Sequence, residues 1–109
     1  MALRFIDILV NCPDRETAAA IADACIEGRL AACANILSPV ESRYRWKGAV
    51  ETEAEIPLLL KTRESLFDAV CAIVRGLHPY EVPSITATQI SNIDQAYAAW
   101  LREETEGNQ

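Results

Sequence analysis

Apolar and polar positions alternate with a period of two from residue 40 to residue 46. Val40, Ser42, Tyr44 and Trp46 fall on one parity, and Glu41, Arg43 and Arg45 on the other. Such alternation marks a half-buried strand. The return run repeats it, with Val50, Thr52, Ala54, Ile56, Leu58 and Leu60 set against Glu51, Glu53, Glu55 and Lys61. The two runs predict a long β-hairpin over residues 31–62, folded about Trp46-Lys47-Gly48, with one apolar and one charged face. Residues paired across an antiparallel hairpin share a face, so even must meet even and the loop must be odd in length. A three-residue loop of Trp46, Lys47 and Gly48 puts glycine at the left-handed position and Arg43 opposite Glu51. Sliding the loop by one residue pairs Arg45 with Glu51 and Arg43 with Glu53, and both registers stay open.

Elsewhere the pattern predicts shorter elements. The almost wholly apolar run at residues 3–10 suits a strand covered on both faces. Asp14 is placed to cap a helix whose apolar face is Ala18, Ile21, Ala22, Cys25 and Ile26, with Gly28 at its end. Thr62 or Ser65 is expected to cap a second helix carrying Leu66, Phe67, Val70, Ile73, Val74 and Leu77. His78-Pro79-Tyr80-Glu81-Val82-Pro83 must be extended, because a residue before proline disfavours helix. A last strand at 85–90 and a helix capped by Asn92 or Asp94, bearing Tyr97, Trp100 and Leu101, complete the chain. Residues 105–109 are expected to fray.

The order is strand, helix, strand, strand, helix, strand, then an extra helix. This predicts the α+β, ferredoxin-like βαββαβ arrangement. The first and last strands are expected side by side in the middle of the sheet, with the hairpin strands at its edges. A continuous strand from residue 31 to 46 would span roughly 50 Å, against about 20 Å for an ordinary strand. Pro39 and Pro57 are read as the boundary between a part of the hairpin inside the domain and a part that projects. The projecting part, with Val40, Tyr44, Trp46 and Val50 on one face, is too apolar to stay in water, so a closed homo-oligomer is expected to cover it.

Composition narrows the functions. The chain has 109 residues, half of them hydrophobic, enough for a single domain with its own core. A net charge of -6 argues against a nucleic-acid partner. No run is long enough for a membrane span, and the opening residues lack a signal-peptide pattern, so a cytoplasmic protein is expected. Four scattered cysteines form no Cys-x-x-Cys pair and are read as core thiols. Catalytic signatures are missing, and Cys33 or His78 has no recognisable base and orienting partner; an enzyme is not expected. The single histidine, His78, is a candidate for a metal or a proton. Glu51, Glu53, Glu55 and Glu81 offer hard oxygen ligands, and Lys61-Thr62-Arg63 a landing place for an anion at the second helix's start.

Five blocks, taken in order, carry a family resemblance: residues 30–36 (Leu-Ala-Ala-Cys-Ala-Asn-Ile), Tyr44-Arg45-Trp46-Lys47-Gly48, Glu53-Ala54-Glu55, Leu60-Lys61-Thr62 and residues 78–83. Together they resemble the CutA family of divalent-cation tolerance proteins over essentially the whole chain. The resemblance implies a ferredoxin-like subunit, a homotrimer built through the long hairpin, a shape related to the PII signalling proteins, and a role in tolerance of copper and other divalent cations. For copper-binding members it implies a cysteine near the end of the first strand and a doubled histidine. Here the cysteine position falls near Val10, with Cys12 two residues later, and the doubled histidine reads Leu77-His78. Cys12 and His78 are therefore the candidate metal ligands, and a weak copper site or none is expected. By analogy with PII proteins, Trp46, Glu53, Lys61 and Tyr80 are candidates for lining inter-subunit clefts that take a small molecule or anion.

Overall fold

The computed structural model describes residues 3–107. Its first strand, β1 (Phe5–Cys12), buries Ile6, Ile8, Val10 and Cys12 on one face. Helix α1 (Arg15–Glu27) follows, with the Asp14 carboxylate accepting from the Thr17 N–H at 2.8 Å. Burial of Ala18, Ile21, Ala22 and Cys25 follows from their spacing on one helical face. Gly28 ends the helix, but the left-handed residue is Arg29, with φ 57°.

The first run of the hairpin is two strands, β2 (Cys33–Ile36) and β3 (Val40–Trp46), broken around Pro39. The return run is one strand of 15 residues, β4 (Ala49–Arg63). A 3₁₀ turn (Glu64–Leu66) leads into α2 (Phe67–Leu77), then come β5 (Ile85–Gln89) and α3 (Gln95–Glu104). Neither Thr62 nor Ser65 caps α2: Leu66 stands at the cap with no side-chain hydrogen bond, because the 3₁₀ turn absorbs the start of the helix. The expected cap of the last helix is Asp94, which accepts from the Tyr97 N–H at 3.0 Å.

The main sheet runs β2-β4-β1-β5, all antiparallel neighbours. The first and last strands do pair, but β5 is an edge and β4, from the hairpin, is central. Each βαβ crossover skips one strand width, so β4 slots between β1 and β2, and β1 between β4 and β5. Ile6, Ile8 and Val10 sit opposite Thr62, Leu60 and Leu58, and this face meets α1 and α2 to form the core. On the other face, α3 is tied down near its end. Arg63 donates to Thr105 Oγ1 at 2.9 Å and to its carbonyl at 2.7 Å, and Leu101 and Thr105 are fully buried. Thr105, where fraying is expected to begin, is thus held by an anchor that no local pattern shows. Residues 108–109 lie outside the described residues.

Pro57 does not interrupt β4. It pairs with Asn11 on one side, and its carbonyl accepts from the Leu37 N–H at 2.9 Å on the other. A strand residue directs its N–H and C=O to the same side. The N–H that proline lacks therefore falls beside the gap between β2 and β3, where no ladder needs it. From Ala49 to Glu55, β4 lies outside the main sheet and pairs only with β3. This projecting ribbon draws the molecule out to 44 Å against 25 and 24 Å in the other directions.

Candidate functional site

The ribbon's register matches neither expected alternative. Trp46 pairs with Ala49, Tyr44 with Glu51, Ser42 with Glu53 and Val40 with Glu55. The loop is therefore two residues, Lys47 and Gly48, with φ of 49° and 83°. Two successive positive φ values define the type I′ turn, whose twist matches that of the flanking strands. Even positions of β3 thus meet odd positions of β4, and no purely apolar face exists. Val40, Ser42, Tyr44 and Trp46 share a face with Glu51, Glu53 and Glu55. The opposite face carries Glu41, Arg43 and Arg45 with Val50, Thr52 and Ala54. Arg43 lies opposite Thr52 and donates to Glu41 at 2.8 Å.

Against the aromatic-acidic face stands the segment after α2, and a cleft of about 570 Å³ separates them. Tyr44 and Trp46 line it from the ribbon, Tyr80, Glu81 and Val82 from the loop, and Asn11 and Glu55 from its floor. Glu55 is 5 % exposed, and Tyr80 Oη donates to its Oε2 at 3.1 Å. Burial, the bond to Glu55 and the nearby carboxylates hold the Tyr80 phenol well above its usual range. Tyr44 is shifted the same way, by desolvation and then by Glu53, Glu55 and Glu51. At the mouth, Lys47 Nζ stands 5.5 Å from the Trp46 ring centroid and 3.5 Å from Glu81 Oε1.

His78 holds the loop in place. Its backbone N–H bonds the end of α2, and its buried ring is fixed at both nitrogens. Nδ1 accepts from the Tyr80 N–H at 3.2 Å, which leaves Nε2 as the protonated nitrogen donating to the Asn11 carbonyl at 2.8 Å. The ring also meets Tyr80 edge-on, with centroids 4.6 Å apart. With both nitrogens committed, no lone pair is left for a metal. Cys12 is fully buried in the core, and its thiol is pushed up to about 11 by burial, then by Asp14 and Glu55. A copper site built from a cysteine and a histidine needs a thiolate and a free imidazole nitrogen. As placed in this structure, Cys12 and His78 do not fit one: the thiol is buried and both ring nitrogens are hydrogen-bonded. Among the described residues, no group of three or more His, Cys, Asp or Glu is arranged to hold a metal ion.

Of the four cleft candidates, Trp46 and Tyr80 meet across the cleft and Glu53 lies on the same ribbon face. Lys61 does not join them. It is on the far face of the sheet, donating to Asp7 at 2.8 Å, and that bond raises its affinity for a proton. Arg63 is likewise committed to Thr105, so the basic stretch at 61–63 forms no anion site. Sequence reasoning missed Glu55 and Tyr44 as cleft residues, because only the register shows that they share a face.

A family model described as CutA1 divalent ion tolerance protein matches residues 6–104. The chain belongs to this family. It is 44% identical over 98 residues to the Thermus thermophilus divalent-cation tolerance protein CutA, covering 90% of this chain and 95% of that protein. It is 40% identical over 97 residues to human protein CutA, covering 89% of this chain but 54% of the human protein; the chain spans about half the length of its human and mouse relatives. The solved Thermus thermophilus structure superposes with a TM-score of 0.90 at 42% identity, covering 93% of this chain and 98% of that one. CutA1 from Oryza sativa gives 0.91 at 39% identity, with 95% of each chain covered. A third, from Archaeoglobus fulgidus, is a periplasmic divalent cation tolerance protein; it gives 0.90 at 33% identity, covering 94% and 99%. The fold is the expected ferredoxin-like one.

Proposed function

We propose that this protein serves divalent-cation tolerance as a non-enzymatic, cytoplasmic homotrimer, and that it acts through the cleft beneath its ribbon and not through copper held by Cys12 and His78. The observation that carries the reading is the commitment of both His78 nitrogens to backbone groups in the loop that forms the cleft wall. The same histidine that resembles a ligand is spent on shaping a cavity. Self-association is supported by the ribbon, where Val40, Tyr44, Trp46 and Val50 are 36% to 65% exposed, far more apolar surface than a lone hairpin keeps in water. Kinship with divalent-cation tolerance proteins supports the physiological setting.

Two measurements test this. Sedimentation at micromolar concentration should give a trimer, and Trp46→Ala should weaken it while leaving the subunit's circular dichroism unchanged. A monomeric parent would refute the assembly. Calorimetric titration with copper should give the same heat for the parent and for Cys12→Ala; a strong saturable heat lost in that variant would restore the metal reading.

A further inference from the structure

Two registers meet in the first run of the hairpin. In the main sheet Ile36 pairs with Leu58, and the Leu37 N–H donates to the Pro57 carbonyl. In the ribbon Val40 pairs with Glu55. Ser38 and Pro39 therefore stand against Ile56 alone, which makes a β-bulge, a place where a strand accepts proline. Continued without the bulge, the main-sheet register would set Arg43 opposite Glu51 and Tyr44 opposite Val50, the even-with-even pairing that the alternation predicts. It would close on the three-residue loop Trp46-Lys47-Gly48, in which only glycine is left-handed. The observed two-residue turn requires Lys47 to be left-handed as well, at φ 49°, a conformation that non-glycine residues rarely adopt. The shorter turn draws Trp46 into the ladder, and the bulge takes up the residue by which β3 has advanced.

This choice decides a face. Pro57, Leu59 and Lys61 lie on the side of the sheet away from α1 and α2, and Glu51, Glu53 and Glu55 continue that side along β4. By pairing with these glutamates, Val40, Tyr44 and Trp46 join Leu37 and Leu9, which sits opposite Leu59. Leu9, Leu37, Val40, Tyr44 and Trp46 are each 36% to 42% exposed and form one apolar surface from sheet to ribbon. A ribbon slid by one residue would turn Val40, Tyr44 and Trp46 to the other side and divide that surface. No second ladder prevents the slide, because β3 pairs with β4 alone.

We propose that the Lys47-Gly48 turn and the Ser38-Pro39 bulge together select the face by which this chain meets a second copy of itself, with the left-handed backbone of Lys47, and not its side-chain contacts, as the determinant. The inference rests on the homotrimer proposed above.

The full chain, carrying Cys33→Ser to remove a half-exposed thiol, is followed by sedimentation and by cross-strand disulfide formation. Arg43→Cys with Thr52→Cys sets two thiols directly opposite in the observed register, whereas Ser42→Cys with Thr52→Cys does so only in the slid one. The first pair should oxidise and the second stay reduced. Lys47→Val, whose branched side chain disfavours the left-handed backbone, should reverse that pattern and abolish the trimer with helical circular dichroism retained. Lys47→Gly adopts the turn freely but loses the contacts to Trp46 and Glu81, and it should keep both the first crosslink and the trimer. Deleting Ser38 removes the bulge and makes the observed register the continuous one, so it should restore the trimer to Lys47→Val. A trimeric parent whose Lys47→Val variant keeps the first crosslink and the trimer would overturn the proposal and leave the homotrimer standing. Loss of the trimer in Lys47→Gly would overturn it in favour of the lysine's contacts. A monomeric parent overturns the homotrimer itself, and the proposal with it, whichever pair crosslinks.

Discussion

Replacing His78 with alanine should cost stability. The imidazole satisfies two backbone groups, the Asn11 carbonyl and the Tyr80 N–H, and packs edge-on against Tyr80. Each backbone group left without a partner in a partly buried site costs about 1 kcal/mol, at the low end of the usual range. The lost aromatic contact adds about 1 kcal/mol. The sum is about 3 kcal/mol, since the three contacts act on one loop and the protein interior closes only partly over the vacated ring. In guanidinium chloride this corresponds to a midpoint lowered by roughly 0.5–1.5 M, measured by circular dichroism at fixed protein concentration. Copper titration of the same variant supplies the contrast, with a heat equal to the parent's. A variant that keeps its midpoint within about 0.2 M and loses a saturable copper heat would show that the ring nitrogens serve a metal and not the loop.

Other perturbations read different parts of the fold. Leu101→Ala should destabilise the protein by about 2–4 kcal/mol and increase hydrogen exchange over α3, because Leu101 is fully buried beneath that helix. Unchanged exchange there would show that the Arg63–Thr105 bonds hold α3 by themselves. Gly48→Ala should cost about 1 kcal/mol despite open space around it, since its φ of 83° disfavours any side chain; a neutral denaturation midpoint would refute the type I′ assignment. The Thr17 N–H holds the Asp14 carboxyl below its ordinary value of 3.8. Its folded pKa is depressed, so the stabilisation is present above the unfolded pKa and is lost as pH falls through the folded one. The stability difference between the parent and Asp14→Ala should therefore shrink as pH is lowered from 5 through the region below 3.8, and a constant difference would count against the cap.

Much of the architecture was legible because its signals are local. Asp14 and Asp94 are capping residues immediately before apolar helical stripes, and each caps as its chemistry dictates. Pro39 marks the break between β2 and β3. The ribbon register was not legible, because Lys47 adopts a left-handed conformation that lysine does not advertise, and a shift of one residue exchanges every side chain between faces. That single shift moved Glu51, Glu53 and Glu55 onto the aromatic face and so created the cleft's character. The role of His78 was hidden for a related reason: one of its partners is a backbone carbonyl 67 residues away.

The sequence by itself determined the helices, the strands, the projecting hairpin and the family, since periodicity, caps and five ordered blocks are properties of neighbouring residues. Only the tertiary structure decided that β4 is central, that Lys61 is spent on Asp7, that His78 holds a loop and that Glu55 is buried beneath Tyr80. Strand order, register and the commitment of a polar atom to a distant backbone group are set by contacts across the fold, and no local pattern encodes them.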